Sequence, residues 1–141
     1  MKAIVVGTDG SPGAEAAERK IIELARESGA TVHVVCAYPG RSALERLGLT
    51  ARQEPVDLRG VAADVVARGE RRLKEAGFAV EKHVREGDPA DALIDVAGEQ
   101  KADVIVVGAR GNTGLRHSML GGVASKLAHH ASRSLLIVRD D

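Results

Sequence analysis

Two glycine-punctuated stretches hold the residues whose types and spacing suit ligand chemistry. The first is Gly7-Thr8-Asp9-Gly10-Ser11, and the second is Gly108-Ala109-Arg110-Gly111, which continues to Gly121-Gly122. Glycines allow a backbone to approach a ligand closely and to aim its N–H groups at it. Asp9 adds a carboxylate, and Arg110 adds a guanidinium able to neutralise a phosphate. Gly121 and Gly122 stand where a helical pattern begins, and a helix N-terminus attracts anions through its free N–H groups and its dipole. The chemistry indicated is that of an anion or nucleotide cradle. Taken alone, each stretch also reads as an ordinary turn or helix cap. No G-x-x-x-x-G-K-[ST] occurs, so the Walker-type phosphate loop is excluded, and no G-x-G-x-x-G follows the first apolar run, which excludes the dinucleotide fingerprint.

Other reactive residue types read as structural. Arg116 is a second phosphate candidate, but it reads more simply as a solvated charge. His117, His129 and His130 raise the question of a metal. Adjacent helical residues point about 100° apart, and no Cys or carboxylate completes a set at ligand spacing, so no metal site is expected. His33 alternates with Val32 and Val34 and reads as a satisfied or half-exposed side chain. Asp88 and Asp91 look like a helix cap and its first turn, and Ser11 like an N-cap without a base or oxyanion partner. Cys36 is the single cysteine. It ends an apolar run and reads as a small buried hydrophobe.

These residues must be held by elements, and the apolar pattern supplies them. Strands are expected at residues 3–8, 31–38, 79–86, 103–107 and 134–138. Val104-Ile105-Val106-Val107 is continuously apolar, as in a strand covered on both faces. Residues 79–86 alternate and carry Glu81, Lys82, His83 and Arg85, which suits an edge. Helices are expected at 12–28 (face Ala17, Ile21, Leu24, Ser28), at 56–76 (face Leu58, Val61, Ala62, Val65, Val66, Leu73), at 88–98 (face Ala92, Leu93, Val96), and at 122–131 (face Val123, Leu127, Ala128, Ala131). Ser11 with Pro12, and Gly29, Gly77 and the Asp88-Pro89 pair, mark helix boundaries. Residues 39–55 form a long irregular stretch, read either as a lid or as a surface excursion with a short helix. Strict βα alternation predicts an α/β fold, an open parallel sheet with helices on both faces. Both glycine stretches then fall at the carboxyl ends of strands, where such sheets bind ligands.

Composition limits the function classes. A chain of 141 residues fits one domain, residues 1–141, and 44% hydrophobic residues suffice for a core without a disulfide or metal. Lys plus Arg and Asp plus Glu are each 20, so no net field steers the chain to nucleic acid. Tyr38 and Phe78 are the only aromatics, which removes base-stacking platforms. No apolar run approaches a membrane span of about 18 residues, and the run after Met1 is too short for a signal peptide. The expectation is a cytoplasmic protein with no nucleic-acid or membrane partner.

The motif pair resembles that of the universal stress protein family, whose nucleotide signature is G-x2-G-x9-G-[ST]. Gly108, Gly111 and Gly121 match its spacing. Asp9, in Val6-Gly7-Thr8-Asp9-Gly10-Ser11, matches the Asp of the family's first-strand turn. Ala128-His129-His130-Ala131, followed by Leu135-Leu136-Ile137-Val138, resembles the family's ending. The resemblance covers the whole chain. It implies a three-layer, five-stranded parallel sheet of order 3-2-1-4-5, adenine nucleotide alpha hydrolase-like, with an adenine nucleotide (ATP, ADP or AMP, with or without Mg) between strands 1 and 4. Thr8 and Asp9 would border base and ribose, and Ala37 the adenine. Val107, Gly108, Arg110 and Gly111 would wrap ribose and phosphates, with Gly121, Gly122 and Val123 at the phosphates. The chain departs from the pattern at Gly122, where the family has Ser or Thr, and at Ala124, where a hydroxyl is common. Each missing neutral hydrogen bond is worth about 0.5–1.5 kcal/mol, so binding is expected to be weaker, or to favour AMP or ADP over ATP.

The function implied is a stress-response protein acting by binding rather than by dedicated catalysis. Alternatives are a dimer that has lost the nucleotide and works through protein contacts, and an adenine-nucleotide α hydrolase or weak ATPase. A homodimer is expected through the apolar last strand, Leu135, Leu136, Ile137 and Val138, an edge in the implied order.

Overall fold

The computed structural model describes residues 1–48, 57–111 and 120–140. The expected alternation is present: β1 (Ala3–Gly7), α1 (Pro12–Ala25), β2 (Thr31–Tyr38), α2 (Arg41–Arg46), α3 (Leu58–Glu75), β3 (Ala79–Glu86), α4 (Pro89–Glu99), β4 (Val104–Gly108), α5 (Gly122–His130) and β5 (Ser134–Val138). The strands form one five-stranded parallel sheet of order β3-β2-β1-β4-β5. Chain order reverses at β1, whose neighbours are β2 and β4, and this opens a crevice above their carboxyl ends. Short α2 lies in the long irregular stretch, of which residues 49–55 fall outside the described residues.

Alternation along each strand divides the core into two layers. Ile4, Val6, Val32, Val34 and Val106 pack under α1 and α3. Val5, Val35, Ile105 and Val107 pack under α4 and α5. Cys36 is buried in the first layer, where burial and then the Asp9 carboxylate push its thiol up to about 11. It is thus an inert hydrophobe rather than a nucleophile.

Helices α1, α3 and α4 start where side-chain caps dictate. Ser11 Oγ accepts the Ala14 N–H at 3.3 Å, with Pro12 at the first turn. Asp57 Oδ1 accepts the Gly60 N–H at 2.9 Å, and Asp88 Oδ2 the Asp91 N–H at 3.0 Å. Helix α1 ends at Ala25, earlier than expected, because Ser28 Oγ donates to the Ala25 carbonyl and accepts the Ala30 N–H, closing the turn. Two expected core residues are exposed: Leu24 at 65% and Val61 at 54%. Each sits one position before the true stripe residue, Ala25 or Ala62, about 100° round the helix. Ala128 of α5 is likewise exposed, and Ala124 and Leu127 make the contact instead.

One buried ion pair joins the helices of the first layer. Glu18 on α1 is 1% exposed and takes Arg72 of α3 in a bidentate grip, at 2.6 and 3.0 Å. Gly69 leaves the room, since a Cβ there would come within 2.9 Å of Glu18 Oε1.

Candidate functional site

The carboxyl ends of β1, β2 and β4 and the first turns of α4 and α5 enclose a cavity. Thr8, Asp9, Ala37, Val107, Gly108, Arg110, Gly111, Gly121, Gly122 and Val123 all line it, so every site residue expected from the sequence reaches one place. Arg116 and His117, and Asp141 at the chain end, lie outside the described residues.

The β1 side of the cavity is built by its own hydrogen bonds. Thr8 N–H donates to the Val35 carbonyl at 2.9 Å, extending the sheet ladder one residue past β1. Thr8 Oγ1 accepts the Gly10 N–H at 3.2 Å, and Asp9 Oδ1 accepts the Ser11 N–H at 2.9 Å. These are side-chain-closed turns, and Gly10 completes them with φ +80°. Ser11, 2% exposed, is the cap of α1. Its hydroxyl is therefore engaged, in keeping with its reading as a cap.

The β4 side is built by backbone. Ala109 N–H donates to the Val138 carbonyl at 2.8 Å, and Gly121 N–H to the Ala109 carbonyl at 2.7 Å. These two bonds set the start of α5 against the β4 turn. Gly108 permits a further close approach: a Cβ there would stand 2.7 Å from the Gly13 carbonyl oxygen. Its requirement for glycine therefore comes from the packing of α1 on β4, not only from a ligand. Gly121 has no side chain, and among the described residues no side chain caps α5. A Cβ at Gly122 would meet nothing within 4 Å.

Arg110 enters the cavity wall but also holds Asp140, Nη2 to Oδ1 at 2.7 Å. Asp140, exposed just past β5, thereby ties the end of that strand to the β4 turn. A phosphate at Arg110 would share the guanidinium with this carboxylate. Asp88 serves as the α4 cap as expected, and also receives Lys126 of α5 at 3.1 Å.

Several lining residues carry no signal of their own in the sequence. Val35 follows from Ala37 by strand period, and Ala124 from α5. Pro89 and Leu93 reach the cavity because α4 crosses back over β2 and β1, which only the topology reveals. Among the other histidines, His129 Nδ1 donates to the Ser125 carbonyl at 2.8 Å. His33 is 3% exposed and bonded to His83, so it is satisfied and fully buried rather than half-exposed.

Comparison with known proteins agrees with the fold and the motifs. The model of the universal stress protein family matches residues 1–139. The universal stress protein Rv1636 of Mycobacterium tuberculosis is 31% identical, over 97% of this chain and 95% of its own. Among solved structures, a universal stress protein in complex with cAMP is 27% identical with a TM-score of 0.73, covering 99% of this chain and 98% of its own. The universal stress protein of Archaeoglobus fulgidus in complex with dAMP is 25% identical, also with a TM-score of 0.73, and covers 98% of each chain. With the alternating sheet, the two glycine turns and the family's spacing all in place, this chain belongs to the universal stress protein family.

Proposed function

We propose that the cavity between β1 and β4 binds an adenine nucleotide and that the protein acts in the stress response by this binding, not by dedicated catalysis. The observation that carries the reading is the convergence of the Asp9 turn, the glycine turn after β4 and the uncapped start of α5 on one cavity. An apolar wall of Val35, Ala37, Leu93 and Val107 suits a flat base. The α5 terminus suits its phosphates. The solved relatives bound to cAMP and dAMP support the adenine class. Gly122 and Ala124 supply no hydroxyl, which favours AMP or ADP over ATP. Asp9 is the one carboxylate among the described lining residues, so a Mg²⁺ would arrive with the phosphates rather than in a protein cage. Those lining residues include no His or Lys to act as general base. A cytoplasmic location fits the absence, among the described residues, of any helix long and apolar enough to cross a membrane. Mass spectrometry of small molecules released from purified, unheated protein tests the binding. An adenine nucleotide retained by the native chain and lost in Asp9→Ala supports it. An empty protein that takes up no adenine nucleotide on addition supports instead a family member working through protein contacts.

The same reading includes a homodimer through β5. This strand is an edge, and Leu135, Leu136 and Ile137 remain partly exposed. An apolar edge with free backbone groups is covered most simply by its own copy about a two-fold axis. Sedimentation at micromolar concentration should give twice 14.8 kDa, and Ile137→Pro should shift it toward monomer. A native chain that sediments as a monomer rules this assembly out.

A further inference from the structure

We propose that His33, Glu81 and His83 form a binding site for a zinc ion, on the sheet edge opposite β5. The site arises from strand register rather than from sequence spacing. His33 of β2 stands directly beside Glu81 of β3, and Val35 beside His83. Since side chains on a strand repeat every second residue, Glu81 and His83 project to the same face as His33. The three donor atoms lie within 4.8 Å of one another. His33 Nδ1 is 3.0 Å from His83 Nε2 and 3.2 Å from Glu81 Oε2. Zinc bonded tetrahedrally at about 2.0–2.2 Å holds its donors roughly 3.3 Å apart. Both spacings from His33 are therefore already close to those of a zinc site, and the third, from Glu81 to His83, lies within 4.8 Å and is closed by side-chain movement.

The surroundings suit a cation. Burial foremost holds both imidazoles below the ordinary His value, with Glu81 pulling each the other way. Neutral rings present the lone pairs that a metal requires. Arg85, two residues further along β3, also lowers the His83 value, but both oxygens of Glu99 hold it, at 2.9 and 2.7 Å. Lys82 projects to the other face, toward Glu70. His33 is buried, His83 half-buried and Glu81 exposed. Two imidazoles and one carboxylate thus leave a fourth position on the solvent side, which water would fill. The donor set is borderline in softness, as zinc prefers. Such an ion would clamp the edge strand β3 to β2, which carries Val35 and Ala37 into the cavity. The inference does not depend on nucleotide binding.

Untagged protein, stripped with a chelator and titrated with zinc chloride against a chromogenic zinc indicator, tests the proposal. One zinc per chain is expected, together with a higher melting temperature. Cobalt in place of zinc should give the intense visible absorption of a four-coordinate site. His83→Gln and Glu81→Gln alter an edge strand and are expected to fold. Each should weaken zinc by at least about tenfold, as loss even of a supporting ligand contact does. His117→Ala and the double substitution His129→Ala with His130→Ala should leave affinity unchanged. His33→Asn should abolish binding, with its circular dichroism checked for a native fold. Absence of stoichiometric zinc at micromolar concentration, or full affinity in His83→Gln, overturns the proposal and leaves the cluster as a hydrogen-bonded pair closing the edge.

Discussion

The helices α1 and α5 begin at the same cavity, yet their first turns are finished in opposite ways. Helix α1 is closed by its own side chains: Ser11 caps it, Pro12 fills its first position and Asp9 binds the Ser11 N–H. Helix α5 begins with Gly121 and Gly122 and has no side-chain cap among the described residues. A helix leaves its first N–H groups without intrahelical partners; at α1 described side chains meet that need, while at α5 no side chain of the described residues does. On the proposed reading, the difference divides the cavity into a wall closed by side chains, on the base and ribose side, and an open end for phosphate. Stability should therefore reside on the α1 side and affinity on the α5 side.

The largest expected effect falls on the closed side. Arg72→Ala leaves the Glu18 carboxylate buried against α3 without its partner, and stability should drop by about 3–5 kcal/mol. Replacing both, by Glu18→Met with Arg72→Leu, should recover most of that in chemical denaturation. If Arg72→Ala melts with the native chain, the ion pair does not anchor α1. Next comes the seam between the two sides. Gly108→Ala drives a Cβ against the Gly13 backbone and should cost about 1–3 kcal/mol by forcing α1 away from β4. A fully stable Gly108→Ala would show that α1 packs less tightly than described.

The smallest expected stability effects sharpen the comparison most. Ser11→Ala removes the α1 cap and should cost about 1 kcal/mol. Gly121→Asp does the reverse at α5. Its Cβ would stand no nearer than 3.4 Å to the Ala109 carbonyl, and its carboxylate would take the place of the anion at the helix start. Stability should change by only a few tenths of a kcal/mol, while nucleotide affinity should fall about tenfold or more by like-charge repulsion. Equal affinity in native and Gly121→Asp protein would mean that α5 does not receive the phosphates.

Much of this was legible in the residues. Continuous apolar runs announced β1 and β4, and charged alternation announced β3 as an edge. The glycine spacing from Gly108 to Gly121, joined to Asp9, points to residues that line the cavity. What escaped were the features created by pairing between distant segments. Leu24 and Val61 fell on the wrong side of their helices because an apolar stripe read one residue early looks equally regular. Nothing in the sequence marks Glu18 for burial, since its partner Arg72 lies 54 residues away on α3. The cluster of His33, Glu81 and His83 spans 50 residues between its histidines and exists only in the β2–β3 register. Arg110 read as a phosphate ligand, and only the fold shows that Asp140 competes for it.

The central claim is that the uncapped start of α5 binds the phosphates of an adenine nucleotide without help from a Ser or Thr hydroxyl. Titration calorimetry of the native chain and of Gly122→Ser with AMP, ADP and ATP tests it most directly. The open space around Gly122 lets the serine in without strain. The native chain should bind one nucleotide, with ATP within about tenfold of ADP, or 1.4 kcal/mol, and Gly122→Ser should tighten ATP selectively. No binding of any adenine nucleotide, or ATP bound by the native chain far more tightly than ADP, would contradict the account.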